Sequence, residues 1–126
     1  MTPLLFVAVA AAGGAGSALR FVVDGVVRAR IRSSYPVGVT VINVTGSFLL
    51  GLVTGLALAQ LVSPEWQLVL GTGLLGGYTT FSTASFETVR LLQGGRVTAA
   101  VLNGFGMLVA SVALAALGLW LGTRAA

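Results

Sequence analysis

Residues 76–87 read GGYTTFSTASFE and place five hydroxyl side chains, Thr79, Thr80, Ser82, Thr83 and Ser85, within seven positions, between a glycine pair and Glu87. A hydroxyl both donates and accepts hydrogen bonds and carries no fixed charge, so a cluster of them can stand in for water around an ion without holding it tightly. Bond-breaking chemistry has little else to use. The chain contains no cysteine and no histidine, which removes thiolate nucleophiles, imidazole bases, disulfides and the usual zinc ligands, and its acids are Asp24, Glu65 and Glu87 alone.

The surroundings of the cluster sharpen this reading. Gly76 and Gly77 each cost a helix ~1 kcal/mol and are followed closely by β-branched Thr79 and Thr80, so the helix carrying them is expected to break at the glycine pair. Within a membrane a break releases backbone carbonyls and amides that protein, water or an ion must satisfy. Released carbonyls suit a hard monovalent cation, and hydroxyls with amide N–H groups suit an anion. An isolated Ser or Thr would more simply bond back to a carbonyl one turn earlier. Asn43, in TVINVTGSFLLG, is equally a helix-to-helix contact or a permeation ligand. Ser111 alone reads as a packing serine, Asn103 as a residue near a vestibule, and Arg20 as a cation that snorkels toward the end of its span.

The elements that must position these groups follow from composition. With 56% hydrophobic and 8% charged residues and a mean hydropathy of +1.01, 126 residues cannot build a charged, water-facing surface, and the chain reads as an integral membrane protein. A hydrocarbon core of ~30 Å needs ~20 apolar helical residues. Four stretches qualify, approximately Pro3 to Val23, Val37 to Val62, Trp66 to Leu92 and Val97 to Leu121. They are separated by Arg28, Arg30, Arg32, Ser33, Ser34 and Pro36, by Ser63-Pro64-Glu65, and by Gln93-Gly94-Gly95-Arg96. The positive charges of the first stretch follow its apolar run, which argues for a span and against a cleaved signal peptide. The expected architecture is all-α, a single four-span transmembrane domain over residues 1–126 with a broken third helix. Most of the 18 glycines, including the Gly51-Leu-Val-Thr-Gly55 pattern, read as places where helix backbones approach closely. The net charge of +4 comes from seven arginines at span ends, which speaks for membrane topology and against nucleic acid.

Through GGAGSALRF (13–21), NVTGSFLLG (43–51), GGYTTFSTASFETVRLL (76–92) and LGLWLG (117–122), the chain resembles the Fluc family, small fluoride channels of bacteria, over essentially its whole length. The resemblance implies passive export of fluoride from the cytoplasm across the cell membrane and an antiparallel, dual-topology dimer with two narrow pores and a structural sodium ion. It assigns the sodium to the backbone carbonyls of Gly76 and Thr79. It assigns the fluoride pore to Asn43, Phe81, Ser82, Thr83 and Ser111, with Arg20 near the entrance. Phe81 would face the anion with its electropositive ring edge. Two positions depart from the family pattern: Ala84 stands where a second pore phenylalanine is usual, and Met107 where a tyrosine is common.

Four spans put both termini on one side of the membrane. Arg20, Arg28, Arg30, Arg32, Arg90 and Arg96 then share the opposite side, against Arg124 alone, a bias of 6 to 1 that places the termini outside. A chain inserted in one orientation needs a different partner of opposite bias to make an antiparallel pair, so a heterodimer with a related subunit is favoured over a homodimer. Two rivals stand beside the channel reading. One is a non-conducting partner subunit, suggested by Ala84 and Met107. The other is a small proton-coupled multidrug transporter, which needs a carboxylate deep in the membrane, where this chain has none before Glu87.

Overall fold

The computed structural model describes residues 1–33 and 35–125. Ser34, one of the loop residues named above, lies outside the described residues. Helix α1 (Pro3–Arg30) begins on Thr2, whose hydroxyl accepts the Leu5 N–H at 3.1 Å, with Pro3 preset for the first turn. Its 28 residues exceed the expected span by two turns, and that extension carries Asp24, Arg28 and Arg30 beyond the apolar run. Helix α2 (Val37–Leu58) follows Pro36 and closes at Gln60, which adopts a left-handed φ of 62°.

The next apolar stretch is the interrupted one. Ser63 caps α3 (Pro64–Gln67), which passes directly into a π-helical segment, π1 (Leu68–Leu75), and a last turn, α4 (Gly76–Tyr78). Thr79 and Thr80 are extended, with ψ of 158° and 122°, and α5 (Phe81–Gln93) then begins afresh. A break therefore exists, but it falls at Thr79–Thr80 and not at the glycine pair. Gly77 serves a different purpose. A methyl group there would collide with the carbonyl oxygen of Gly13, so this glycine lets α4 lie directly on α1. Gly94 and Gly95, the latter at φ 75°, turn the chain into α6 (Val97–Val101), π2 (Leu102–Gly106) and α7 (Met107–Thr123).

Packing of α2 against α7 dominates the fold. The Gly51–Gly55 pattern meets a matching pair, Gly118 and Gly122: a side chain on Gly51 would strike the carbonyl of Ala115, and one on Gly118 the carbonyl of Phe48. The small apolar core is Ile42, Leu75 and Tyr78, with Val23 and Val53 packed on it. Tyr78 keeps its hydroxyl partnered at 3.0 Å from Thr45 Oγ1. Large apolar side chains such as Leu4, Phe6, Phe21, Trp66, Val109 and Val112 stand exposed on the outside. Among the described residues, three helices, Pro3–Arg30, Val37–Leu58 and Val97–Thr123, are long and apolar enough to cross a membrane. An apolar exterior around glycine-mediated helix contacts is the surface lipid requires.

Candidate functional site

The break is held open by a side chain from another helix. Asn43 of α2 accepts the Thr80 N–H on Oδ1 at 2.8 Å and donates from Nδ2 to the Thr80 carbonyl, also at 2.8 Å. One amide thus satisfies both backbone groups of an extended residue that is only 8% exposed. The orientation of the amide follows from chemistry, because reversing it would set N–H against N–H and oxygen against oxygen. Nδ2 directs its second proton to Met107 Sδ, at 3.2 Å. Of the two roles open to Asn43 in the sequence, the helix-to-helix contact is observed.

Thr80 also caps the helix that follows. Its Oγ1 accepts the Thr83 N–H at 3.2 Å and lies 3.2 Å from Thr83 Oγ1 and 3.4 Å from Ser82 Oγ, forming a three-hydroxyl cluster at the start of α5. Thr79 instead bonds back to the Leu75 carbonyl at 3.0 Å. These bonds have a consequence for two carbonyls. A continuous helix would close Thr80 N–H on Gly76 and Thr83 N–H on Thr79; both donors are diverted, to Asn43 and to Thr80 Oγ1, so the Gly76 and Thr79 oxygens lose their ladder partners.

Two hollows flank the break, and Thr80 lines both. A cleft of about 540 Å³ is walled by Asn43, Thr79, Phe81, Ala84, Met107 and Ser111, among others, with no charged side chain on its wall. A smaller hollow of about 260 Å³ on the other side is lined by Arg20, Asp24 and Thr83. The expected pore residues are therefore divided: Asn43, Phe81 and Ser111 share the cleft, while Arg20 and Thr83 face the second hollow. Ser82 is exposed and lines neither. Phe81 is 87% exposed, the most exposed large apolar side chain of the broken stretch.

Two features escaped the sequence reading. Asn103, expected near a vestibule, is fully buried against the cleft, where its Nδ2 donates to Thr88 Oγ1 at 2.8 Å and its Oδ1 has no hydrogen-bond partner. It ties α5 to the last helix, a role that needs the position of Thr88 to be known. The second is a charge link: Arg28 reaches both Asp24 oxygens from Nε at 3.0 Å and Glu87 Oε1 from its terminal nitrogen at 3.2 Å, joining the end of α1 to α5. Glu87, the one acid inside the four expected spans, is thus paired with a cation. That is not the free carboxylate an exchange transporter would use.

Fold and site together define a multi-pass helical membrane protein with an interrupted helix beside an uncharged, largely apolar cleft that carries a few polar side chains. Residues 7–122 match the family described as CrcB-like protein, Camphor Resistance (CrcB), and the chain belongs to that family. Similar proteins include fluoride-specific ion channel FluC 1 of Leifsonia xyli subsp. xyli, 59% identical over 122 residues that make up 97% of this chain and 89% of that one. Fluoride-specific ion channel FluC 2 of Cutibacterium acnes is 47% identical over 90% of this chain and 93% of its own. A fluoride-specific ion channel FluC of Thermus thermophilus is 43% identical over 93% and 94%, respectively.

Proposed function

We propose that this chain is a subunit of a fluoride-selective channel that lets fluoride leave the cytoplasm passively, lowering its toxicity. The carrying observation is the braced break: Asn43, the hydroxyl cluster of α5 and an uncharged cleft offer hydrogen bonds to a small anion without a fixed positive charge to trap it. The names of the relatives support the choice of ion. The path runs through Asn43, Phe81 and Ser111 on the cleft, with Ser82 and Thr83 at the start of α5 and Arg20 at the entrance. In this reading the interrupted stretch, α3 through α5, is a fourth membrane crossing. The subunit pairs antiparallel with a related subunit of opposite orientation in the bacterial cell membrane, and the exposed Phe81 lies where that subunit completes the pore.

The carbonyls of Gly76 and Thr79 fit a structural sodium ion. Both oxygens have lost their ladder donors, and backbone carbonyls are the ligands a hard monovalent cation prefers. Bound there, sodium would supply the positive charge that holds released carbonyls together. The chain itself contributes the extended Thr79–Thr80 backbone and the Asn43 brace that keeps it extended.

The test is efflux from liposomes, followed with a fluoride electrode, for the chain alone and for the chain with a paired subunit. Efflux only with the partner supports the heterodimer; no efflux in either case sinks the channel. Ala84 favours a second reading, a subunit that helps its partner conduct but does not conduct itself. Its methyl group lines the cleft where the family pattern has a phenylalanine. Ala84→Phe separates the two: the channel subunit gains efflux by about tenfold or more, the assembly subunit none.

A further inference from the structure

The link between α1 and α2 encloses a hollow that the anion path does not use. It measures about 180 Å³, and its wall includes the polar side chains of Arg28, Arg32, Ser33 and Tyr35 and the apolar ones of Val27 and Ile31. Arg28 stands in the last turn of α1 and α2 begins at Val37, so the hollow lies where two spans reach the membrane surface and meet lipid headgroups. Its polar groups can all donate. Arg28 gives its Nε proton to Asp24 and an Nη2 proton to Glu87, and with its side chain 60% exposed it keeps the Nη1 pair for another acceptor. Arg32 is exposed and, among the described residues, has no ion-pair partner. Ser33 Oγ accepts the Tyr35 N–H at 3.1 Å, which leaves its own proton to donate. No carboxylate lines the hollow among the described residues. Guanidinium forks beside hydroxyl donors match the oxygens of a phosphate.

We propose that this hollow binds the head of an anionic phospholipid: Arg28 and Arg32 take the phosphate oxygens, Ser33 and Tyr35 bond the hydroxyls of the head, and the acyl chains leave beside Val27 and Ile31. The apolar wall favours lipid over a free phosphate ion, because Ile31, half exposed, offers contact that only an acyl chain can use. Arg28, Arg30 and Arg32 lie within five positions, so a zwitterionic head would bring its own cation among three others, and a head of net negative charge would not. The arginine bias puts this loop on the cytoplasmic side, where anionic lipid attracts such clusters. The inference needs the span topology and is independent of which ion is conducted.

Native mass spectrometry of the detergent-purified chain tests it by counting bound lipid. With phosphatidylglycerol and phosphatidylcholine of identical acyl chains, the chain retains phosphatidylglycerol under conditions that strip phosphatidylcholine. Arg32→Gln weakens that retention about fivefold, the effect of one arginine at a charged lipid surface, and Arg124→Gln, at the other membrane face, leaves it unchanged. Tyr35→Phe keeps the ring and loses one hydroxyl, for a fall of about threefold, so the proposal stays testable if Arg32→Gln does not fold. Equal retention of the two lipids, or equal loss from the Arg32 and Arg124 variants, overturns the proposal. Excess sodium phosphate separates the two sources of the phosphate group: phosphatidylglycerol that stays bound supports a lipid site, and its displacement reveals a free-phosphate site and overturns the lipid. Thermal unfolding in detergent gives a second readout. Phosphatidylglycerol raises the midpoint of the unmodified chain more than that of Arg32→Gln, and an equal rise in both overturns the site.

Discussion

At the scale of the residue, Asn43 decides the site. Asn43→Leu preserves approximate volume but strands the N–H and carbonyl of Thr80 together, at ~1–3 kcal/mol for each buried group. The expected outcome is a loss of roughly 2–5 kcal/mol in equilibrium unfolding from mixed detergent micelles, with efflux abolished; unchanged stability would show that Thr80 finds other partners. Thr80 itself makes a smaller contribution as the cap of α5. Thr80→Val removes the hydroxyl that receives Thr83 N–H and is expected to cost ~1 kcal/mol, recovered by Thr80→Ser. The sequence displayed each of these residues, and its hydroxyl count pointed to the stretch in which the helix is interrupted. It left Asn43 divided between two roles because its partner lies 37 positions away, and no local periodicity reports a bond of that range.

At the scale of the element, glycine carried two messages that composition could not separate. Gly76-Gly77 looked like a helix breaker, yet Gly77 is a point of contact with α1, and the interruption comes two residues later. The misplacement has a physical cause: low helix propensity permits a break, but Asn43 selects where it occurs by satisfying Thr80. The Gly51–Gly55 spacing was read correctly because it needs only a helix to define it; the matching Gly118 and Gly122 supply the other half. The close approach makes a contrast measurable. Gly51→Val drives a branched side chain into the Ala115 carbonyl and is expected to destabilise the fold by about 3 kcal/mol. Gly25→Ala, with open space around its Cβ, is expected to be neutral or to stabilise α1 slightly in the same unfolding experiment. Equal effects would mean that propensity, and not the α2–α7 crossing, sets the cost.

At the scale of the whole molecule, spans and loops were legible because lipid imposes length and apolarity on every crossing, whereas the interrupted third stretch has no single helix of that length. For orientation, the arginines make a definite prediction. Arg28 is tied to Asp24 and Glu87, but orientation follows the count of arginines and not net charge, so Arg20, Arg28, Arg30, Arg32, Arg90 and Arg96 all stand against Arg124. Six against one exceeds the near balance that dual insertion needs. Because the chain has no cysteine, Ala125→Cys creates one unique thiol close to the C-terminus. In intact cells a membrane-impermeant maleimide is expected to label nearly all copies from outside. Labelling of about half the copies, with the remainder reached only after lysis, would establish insertion both ways and favour a homodimer over the proposed heterodimer. Exchanging Arg30, Arg32 and Arg96 for glutamine while adding arginines after Trp120 should then invert the labelling, since it is the distribution of these charges, and not the fold, that fixes which way the bundle faces.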